Sequence, residues 1–426
     1  MRWTAVVFGG ALLMGVATGS GAGEAEAKPR PAKLWHVRGG LPNVLEKLKA
    51  GGEVTIAYFG GSITAANGWR PKTLKWFRET WPKAKVKEIH AAIGGTGSDL
   101  GAFRCQKDVL AGKPDLVFVE FAVNDGGAPP ERIHKTIEGI VRQIWRADAK
   151  TDICFVYTIH QGMLKDYAAG HYSRSAAAME DVADHYGIPS ICMALRIAEL
   201  EKQGKLIFHG ERGAKPPEGK FIFTHDSCHP TDAGHTVFTE VIADAVQAME
   251  GTSKPGPHKL KKPLDPDNWE DARLVAIQPS MLTGKWEKMD KTQGLGKRFG
   301  SRLPTIWHSG TPGSKLTFRF RGTMCRMFDL VGPDGGIAIC TVDGKRVGER
   351  KRFDWYCTYW RLQAFTVADG LADAEHTVTI EVSPKQPDRE PVLKRVRGEK
   401  GFDPKKFDGT NLWLGYIMLR GELIAQ

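Results

Sequence analysis

The chain has 426 residues, 41% of them hydrophobic and 26% charged, the ordinary balance of a soluble protein with a sizeable core and room for two or three domains. Past the N-terminal region no segment is long and apolar enough to span a bilayer as a helix. The net charge of +11 favours acidic partners such as a polyanionic polysaccharide, a cell surface or nucleic acid, without identifying one.

Arg2 precedes an apolar run from Trp3 to Val16, and small residues then lead to Ala25-Glu26-Ala27. A basic start, a short glycine-broken apolar stretch and an A-x-A site predict a signal peptide over residues 1–27, with export as its consequence; the alternative is a membrane anchor, for which the run falls short of the roughly 20 apolar residues a span requires. From Val54 to Met249, short apolar runs alternate with helical periods. Strands are expected at 54–59, 86–93, 116–121, 153–159 and 189–192, and helices at 72–81, 99–110, 131–145, 173–186 and 232–249. This alternation implies an α/β domain, residues 28–250, whose parallel sheet is covered on both faces and carries its functional groups at the strands' carboxyl ends. Residues 251–267, rich in Gly and Pro, read as a linker. Beyond it the period becomes two: Leu316, Phe318 and Phe320 alternate with Lys315, Thr317, Arg319 and Arg321, and Asp343-Gly344 marks a hairpin turn. Residues 268–426 are therefore expected to form an all-β sandwich or jelly roll. The seven cysteines lack a disulfide framework and several sit in apolar strand patterns, so buried free thiols are expected. Three basic clusters read as solvated loops: Lys259, Lys261 and Lys262; Lys345 to Arg352; and Lys394, Arg395, Arg397 and Lys400.

Four short motifs fall where this reading places loops. Gly60-Gly61-Ser62 follows the first strand, where glycines permit a sharp turn that presents a hydroxyl; the alternative is an N-capping serine. Gly94-Gly95-Thr96-Gly97 follows the second strand and offers backbone N–H groups to an oxyanion, or forms a flexible turn. Asn124-Asp125 follows the third, and the neutral Asn124 amide is able to donate where a carboxylate is not; the alternative is an Asx turn. Asp226-Ser227-Cys228-His229 precedes the last helix and supplies an imidazole base with a carboxylate to fix its tautomer. His225 and His235 lie nearby, but no metal-ligand spacing accompanies them, so a second-shell or surface place is expected for the first and a helix face for the second.

In this order the four motifs resemble the sequence blocks of the SGNH/GDSL hydrolases, over roughly residues 50–250. The resemblance implies a three-layer flavodoxin-like sheet and an esterase with Ser62 as nucleophile, Asp226 and His229 completing the triad, and Gly95 and Asn124 in the oxyanion hole. It implies no metal or organic cofactor. Gly61 replaces the family's Asp, Ala122 the first Gly of G-x-N-D, and His90 stands where many members carry Asn. The β module resembles, more loosely, the jelly-roll domains of some carbohydrate esterases. Trp355, Tyr356, Tyr359 and Trp360 either offer aromatic faces to sugar rings or pack within the sandwich. The leading expectation is an exported carbohydrate esterase acting on an acylated glycan, with neither nucleic acid nor stable membrane insertion involved. A lipid esterase or thioesterase of the same fold and an inactive carbohydrate-binding protein are the alternatives.

Overall fold

The computed structural model describes residues 29–424, so the expected signal peptide lies outside the described residues. The first sheet comprises β1 (Trp35–His36), β2 (Glu53–Gly60), β3 (Lys85–His90), β4 (Leu116–Glu120), β5 (Asp152–Tyr157) and β6 (Ser190–Cys192), in the order β1-β6-β5-β4-β2-β3. All neighbours are parallel except the short edge strand β1 on β6. Every residue of β4 and β5 is buried, as uninterrupted apolar runs require when both faces are covered. Helices Ser98–Asp108, Pro130–Ala147 and Arg174–Tyr186 form one covering layer, and Trp69–Thr80, Met193–Lys202 and Asp232–Ala248 the other. The direction of strand order reverses between β2 and β4, and that switch point opens a crevice beyond their carboxyl ends.

A short parallel pair, β7 (Leu206–His209) and β8 (Phe221–Thr224), leads into the last helix of this domain. The stretch 251–267 then holds neither helix nor strand, but it is no loose tether. Asn43 bonds Gly256, His258 donates to the buried Asp152 carboxylate at 2.7 Å and stacks on Trp145, and the Glu138 carboxylate accepts the Leu264 and Asp265 amides. The segment is thus tied along the α/β domain for most of its length.

Ten antiparallel strands follow: β9 (Ala272–Ala276), β10 (Leu282–Thr283), β11 (Glu287–Lys288), β12 (Trp307–Ser309), β13 (Lys315–Val331), β14 (Ile337–Val342), β15 (Lys345–Lys351), β16 (Arg361–Ala368), β17 (Ala374–Val382) and β18 (Leu412–Ile424). They share one hydrogen-bonded network organised on β13 and β18, and the first half of β13 pairs with β17 while its second half pairs with β16. The predicted alternation holds up to Phe320 and then inverts. Thr323 is an extra residue in the β13–β18 register, and a one-residue bulge moves every later side chain to the opposite face. Leu316, Phe318, Phe320, Cys325 and Met327 therefore all face the second domain's own core, while Met324, Phe328 and Leu330 belong to the core of the α/β domain. Gly415 is the corresponding extra residue in β18 and turns Trp413 and Met418 the same way. The outer face of the β domain thus changes from Lys and Arg to apolar residues where it meets the α/β domain. All seven cysteines are free and six are buried, in keeping with the apolar patterns around them.

Trp269 joins the two domains. It is 4% exposed, its ring meets Phe103 edge-on, its N–H donates to the Lys135 carbonyl and its own carbonyl accepts from Gln143. Trp269→Ala is expected to destabilise the whole chain by about 3–5 kcal/mol in urea unfolding, the cost of emptying a buried tryptophan site. A change below 1 kcal/mol would mean that the joint is not part of the stabilising core.

Candidate active site

Strand β2 ends at Gly60, and Ser62 opens the one-turn helix Ser62–Ala65. The Ser62 N–H belongs to a first turn, so it has no intrahelical acceptor. Gly61 permits a close approach from the loop after β4: a Cβ there would lie 1.8 Å from the Asn124 side-chain oxygen. The departure from the family's Asp at this position thus has a physical counterpart, because the Asn124 carboxamide occupies the space a side chain would need.

The Asp226–His229 loop is pinned at both ends. Thr231 caps the helix Asp232–Ala248 and donates its hydroxyl to the Ile222 carbonyl, while Gln161 N–H donates to the Ser227 carbonyl. Ser227 takes φ +68°, a left-handed turn that returns the chain so that His229 faces Ser62. The Asp226 Oδ1 accepts from the Thr224 hydroxyl and the Cys228 and His229 amides at 3.1, 3.1 and 2.8 Å, leaving Oδ2 for the imidazole Nδ1 at 2.8 Å. Desolvation opposes ionisation of Asp226, but the hydrogen bonds from the His229 amide and ring and the Cys228 amide outweigh it and hold its pKa well below the usual carboxylate range. An ionised carboxylate only accepts, so Nδ1 carries the proton and Nε2 presents its lone pair to the Ser62 hydroxyl, 2.9 Å away. The structure therefore brings Ser62, His229 and Asp226 into one hydrogen-bonded line at a solvent-facing rim, where the His229 and Asp226 side chains are 46% and 44% exposed.

The second and third motifs flank this line. Gly94 lies against Ser62, since a Cβ on it would stand 3.6 Å from the serine Cβ. Gly95 takes φ +72° with open space where a Cβ would project, a conformation that favours glycine and leaves its amide unobstructed by any side chain of its own. Asn124 is held through its neighbour, for the buried Asp125 accepts the Ser98 N–H at the start of helix Ser98–Asp108. Burial raises the Asp125 carboxyl to about 7, against the pull of the Ser98 hydrogen bonds. His225 donates its Nδ1–H to the Gly210 carbonyl at 2.7 Å, and His235, on the last helix, is buried against Gly68.

Four residues that the motifs did not single out hold these loops from below. Arg104 is fully buried, stacks 4.5 Å over the Phe59 ring, and donates to the carbonyls of Gly60 and Ala91. Arg302, from the β domain, donates to the carbonyls of His90 and Ala92 at 2.7 and 3.1 Å. Asp108 pairs with both guanidinium groups, at 3.2 and 3.4 Å. Three successive carbonyls at the exit of β3, and the last carbonyl of β2, are thus fixed by two arginines sharing one carboxylate. Burial lowers the Arg104 pKa to about 10, opposed by Asp108, so it remains charged near neutrality. The buried Glu120 ends β4 and accepts from Thr64, Thr158 and the Gly61 N–H. Burial raises its pKa, and these three hydrogen bonds counter that shift. The expected Asn position of the second block is filled by His90, whose pKa falls to about 4 through burial and the nearby Arg70 and Arg302.

Residues 58–237 match the model of the GDSL-like lipase/acylhydrolase family. No curated protein matches the chain. A two-domain esterase active on acetylated mannans, co-crystallized with mannopentaose, is similar in structure with a TM-score of 0.70 and 21% identity, over 91% of this chain and 97% of that one. A second structure of a two-domain esterase active on acetylated mannans gives a TM-score of 0.68 and 21% identity, over 89% and 95% of the two chains. These are likenesses of fold, and they extend across both domains. With the order of the motifs, the sheet that carries them and the family match in agreement, the chain carries a domain of the GDSL-like lipase/acylhydrolase family, a family of carboxylic ester hydrolases.

Proposed function

We propose that the protein is an exported carbohydrate esterase that removes acetyl or similarly small acyl groups from a polysaccharide by a Ser-His-Asp mechanism. The observation that carries this reading is the Ser62–His229–Asp226 line, with contacts of 2.9 and 2.8 Å at an open rim. His229 Nε2 takes the Ser62 proton as Oγ bonds to the ester carbonyl carbon, and Asp226 stabilises the imidazolium. The amides of Ser62 and Gly95 and the side-chain amide of Asn124 are the donors for the oxyanion. Collapse of the tetrahedral intermediate breaks the ester C–O bond, and the imidazolium returns its proton to the leaving sugar oxygen. Water, deprotonated by His229, then attacks the acyl-enzyme and releases the carboxylate and free serine.

Three features support a short acyl group on a polymer. The line is open to solvent, which suits an ester projecting from a chain too large to enter a cavity. The groups brought beside it include Gly61, Gly94, Gly95 and the polar Asn124, which suit a small acyl group. A solved two-domain esterase of this architecture, matched in two structures, is active on acetylated mannans. Export rests on the expected signal peptide, residues 1–27.

Wild-type protein is expected to cleave aryl acetate faster than aryl octanoate and to release acetate from at least one acetylated polysaccharide. Ser62→Ala is expected to lower kcat about 10³-fold or more, as for removal of a triad member. Activity near wild type in that variant, or a preference for octanoate without release from any glycan, would overturn the reading. Asn124→Ala is expected to lower kcat by about 10²–10³-fold with KM almost unchanged, the signature of a lost oxyanion donor; a raised KM at constant kcat would assign Asn124 to substrate binding instead. Arg302→Ala frees the His90 and Ala92 carbonyls, so it is expected to slow aryl acetate hydrolysis about 10-fold in kcat, with Arg302→Lys intermediate. Equal kcat in all three proteins would show that the second domain does not steady the loop beside Ser62.

A further inference from the structure

Among the described residues only five large apolar side chains are substantially exposed, and three of them fall within five positions: Trp355 at 50%, Tyr356 at 63% and Tyr359 at 49%. Clustered exposed aromatics mark interaction surfaces far more often than scattered ones do. Their exposure does not come from a slack loop. Phe353 and Cys357, interleaved with them, are buried with Val331, Val392, Val396 and Phe407, the Tyr356 amide donates to Asp354, and the Trp360 ring N–H donates to Asp334. The loop is anchored inward at Phe353 and Cys357 and presents the Trp355, Tyr356 and Tyr359 rings outward. Of the two sequence expectations for this cluster, packing within the domain describes Trp360, and it does not describe the other three.

The surface beside the rings is basic. The Arg395 guanidinium lies 4.3 Å from the Trp355 ring centre and donates to the Trp355 carbonyl, and Arg361 lies 5.7 Å from the Tyr356 ring. From Lys385 to Lys406 the sequence holds eight basic and four acidic residues. Arg397 pairs with Glu390, whereas Lys394, Lys400, Lys405 and Lys406 have no carboxylate within ion-pair distance among the described residues. Lys400 and Lys406 line one cleft together with Thr358, which joins the basic segment to the aromatic loop. A third element of the same surface is the cleft of about 610 Å³ that Arg389, Arg397 and Lys405 share with Asp388 and Glu390.

Aromatic faces bind the apolar C–H faces of sugar rings, and unpaired ammonium and guanidinium groups bind carboxylates. We infer that the loop 354–359 and the basic segment 394–406 form a binding surface for a uronate-bearing polysaccharide. This rests on the carbohydrate esterase reading for the class of polymer, and it adds that the polymer is acidic. A neutral glycan would need the rings and leave the four lysines unmatched. None of these residues is bonded to Ser62, His229 or Asp226 among the described residues, so the surface would hold the chain and take no part in the ester chemistry.

The test uses full-length Ser62→Ala protein in affinity gel electrophoresis and titration calorimetry at 150 mM salt, with polygalacturonate, neutral mannan, dextran sulfate and single-stranded DNA as probes. Polygalacturonate is expected to bind most tightly and to weaken as salt is raised, in proportion to the ion pairs formed. Trp355→Ala and the double variant Lys400→Ala/Lys406→Ala are each expected to weaken it about 10-fold. In the Ser62 background both variants should keep the parent unfolding midpoint, and in the wild-type background both should keep the aryl acetate kcat. Binding of mannan, dextran sulfate or DNA at least as tight as that of polygalacturonate would overturn the assignment, as would binding that neither variant alters. Hydrolysis of aryl acetate by wild-type protein tests the esterase reading separately, so failure of one is not failure of the other.

Discussion

The carboxyl ends of β2 and β3 carry the Ser62 turn and the Gly94-Gly95 loop, and their positions depend on one buried ionic group: Arg104 and Arg302 around Asp108. The Gly60 carbonyl keeps a backbone partner in the Ile93 N–H, but a carbonyl that loses its ladder partner at a strand's exit and is buried unpaired costs about 1–3 kcal/mol. Here the carbonyls of Gly60, His90, Ala91 and Ala92 are all taken by guanidinium N–H groups. The fork geometry of arginine suits this work, because one side chain reaches two carbonyls from a fixed plane. A buried guanidinium is expensive to desolvate, and Asp108 offsets that cost for both arginines at once. Removing the shared carboxylate would leave two charges uncompensated, the situation in which a buried pair becomes strongly destabilising.

Because Arg302 comes from the β domain, the clamp makes that domain part of the support for the site. The two bulges have the same effect on packing. Thr323 and Gly415 each insert one residue, and the inversion gives β13 and β18 two apolar faces past those points, one toward each core. Arg326 adds an ion pair to Asp99 at 2.7 Å, on the helix whose first N–H is held by Asp125. A β module tied on in this way is not a tethered accessory. The segment 251–267, expected as a linker, follows an irregular path pinned to Asn43, Asp152 and Glu138.

The motifs were legible because each needs only local chemistry: a strand, then glycine, asparagine or an Asp-x-x-His turn. The five central strands were legible for a similar reason, as short apolar runs bounded by turn residues. The edge strand β1 and the helix Met193–Lys202 were missed; the first has two residues and the second follows β6 with no punctuating turn. The helix Pro42–Lys49 fell in a stretch before the first apolar run. Arg104 and Arg302 carry no local signal at all. One looks like an ordinary polar helix position and the other like a loop cation, and only a contact across about 200 residues of chain gives them their role. The parity change at Thr323 was equally hidden, because an alternating pattern does not announce a bulge.

On the proposed reading, the exposure of the Ser62–His229–Asp226 line raises a problem that this underside answers. Donors and charges at a wet rim act through a high dielectric, and water competes for them, so preorganisation has to come from rigidity more than from enclosure. The ionisable groups that supply that rigidity are accordingly placed below the rim. Arg104 holds the Gly60 carbonyl, Glu120 holds the Gly61 N–H and the Thr64 hydroxyl, and Asp125 holds the loop of Asn124 to a helix start. The Ser62 turn therefore follows a peptide group, the Gly60 carbonyl with the Gly61 N–H, that a buried cation and a buried carboxylate grip at its two ends. Such an arrangement keeps the Ser62 hydroxyl at the solvent-facing rim while its backbone has little freedom to move.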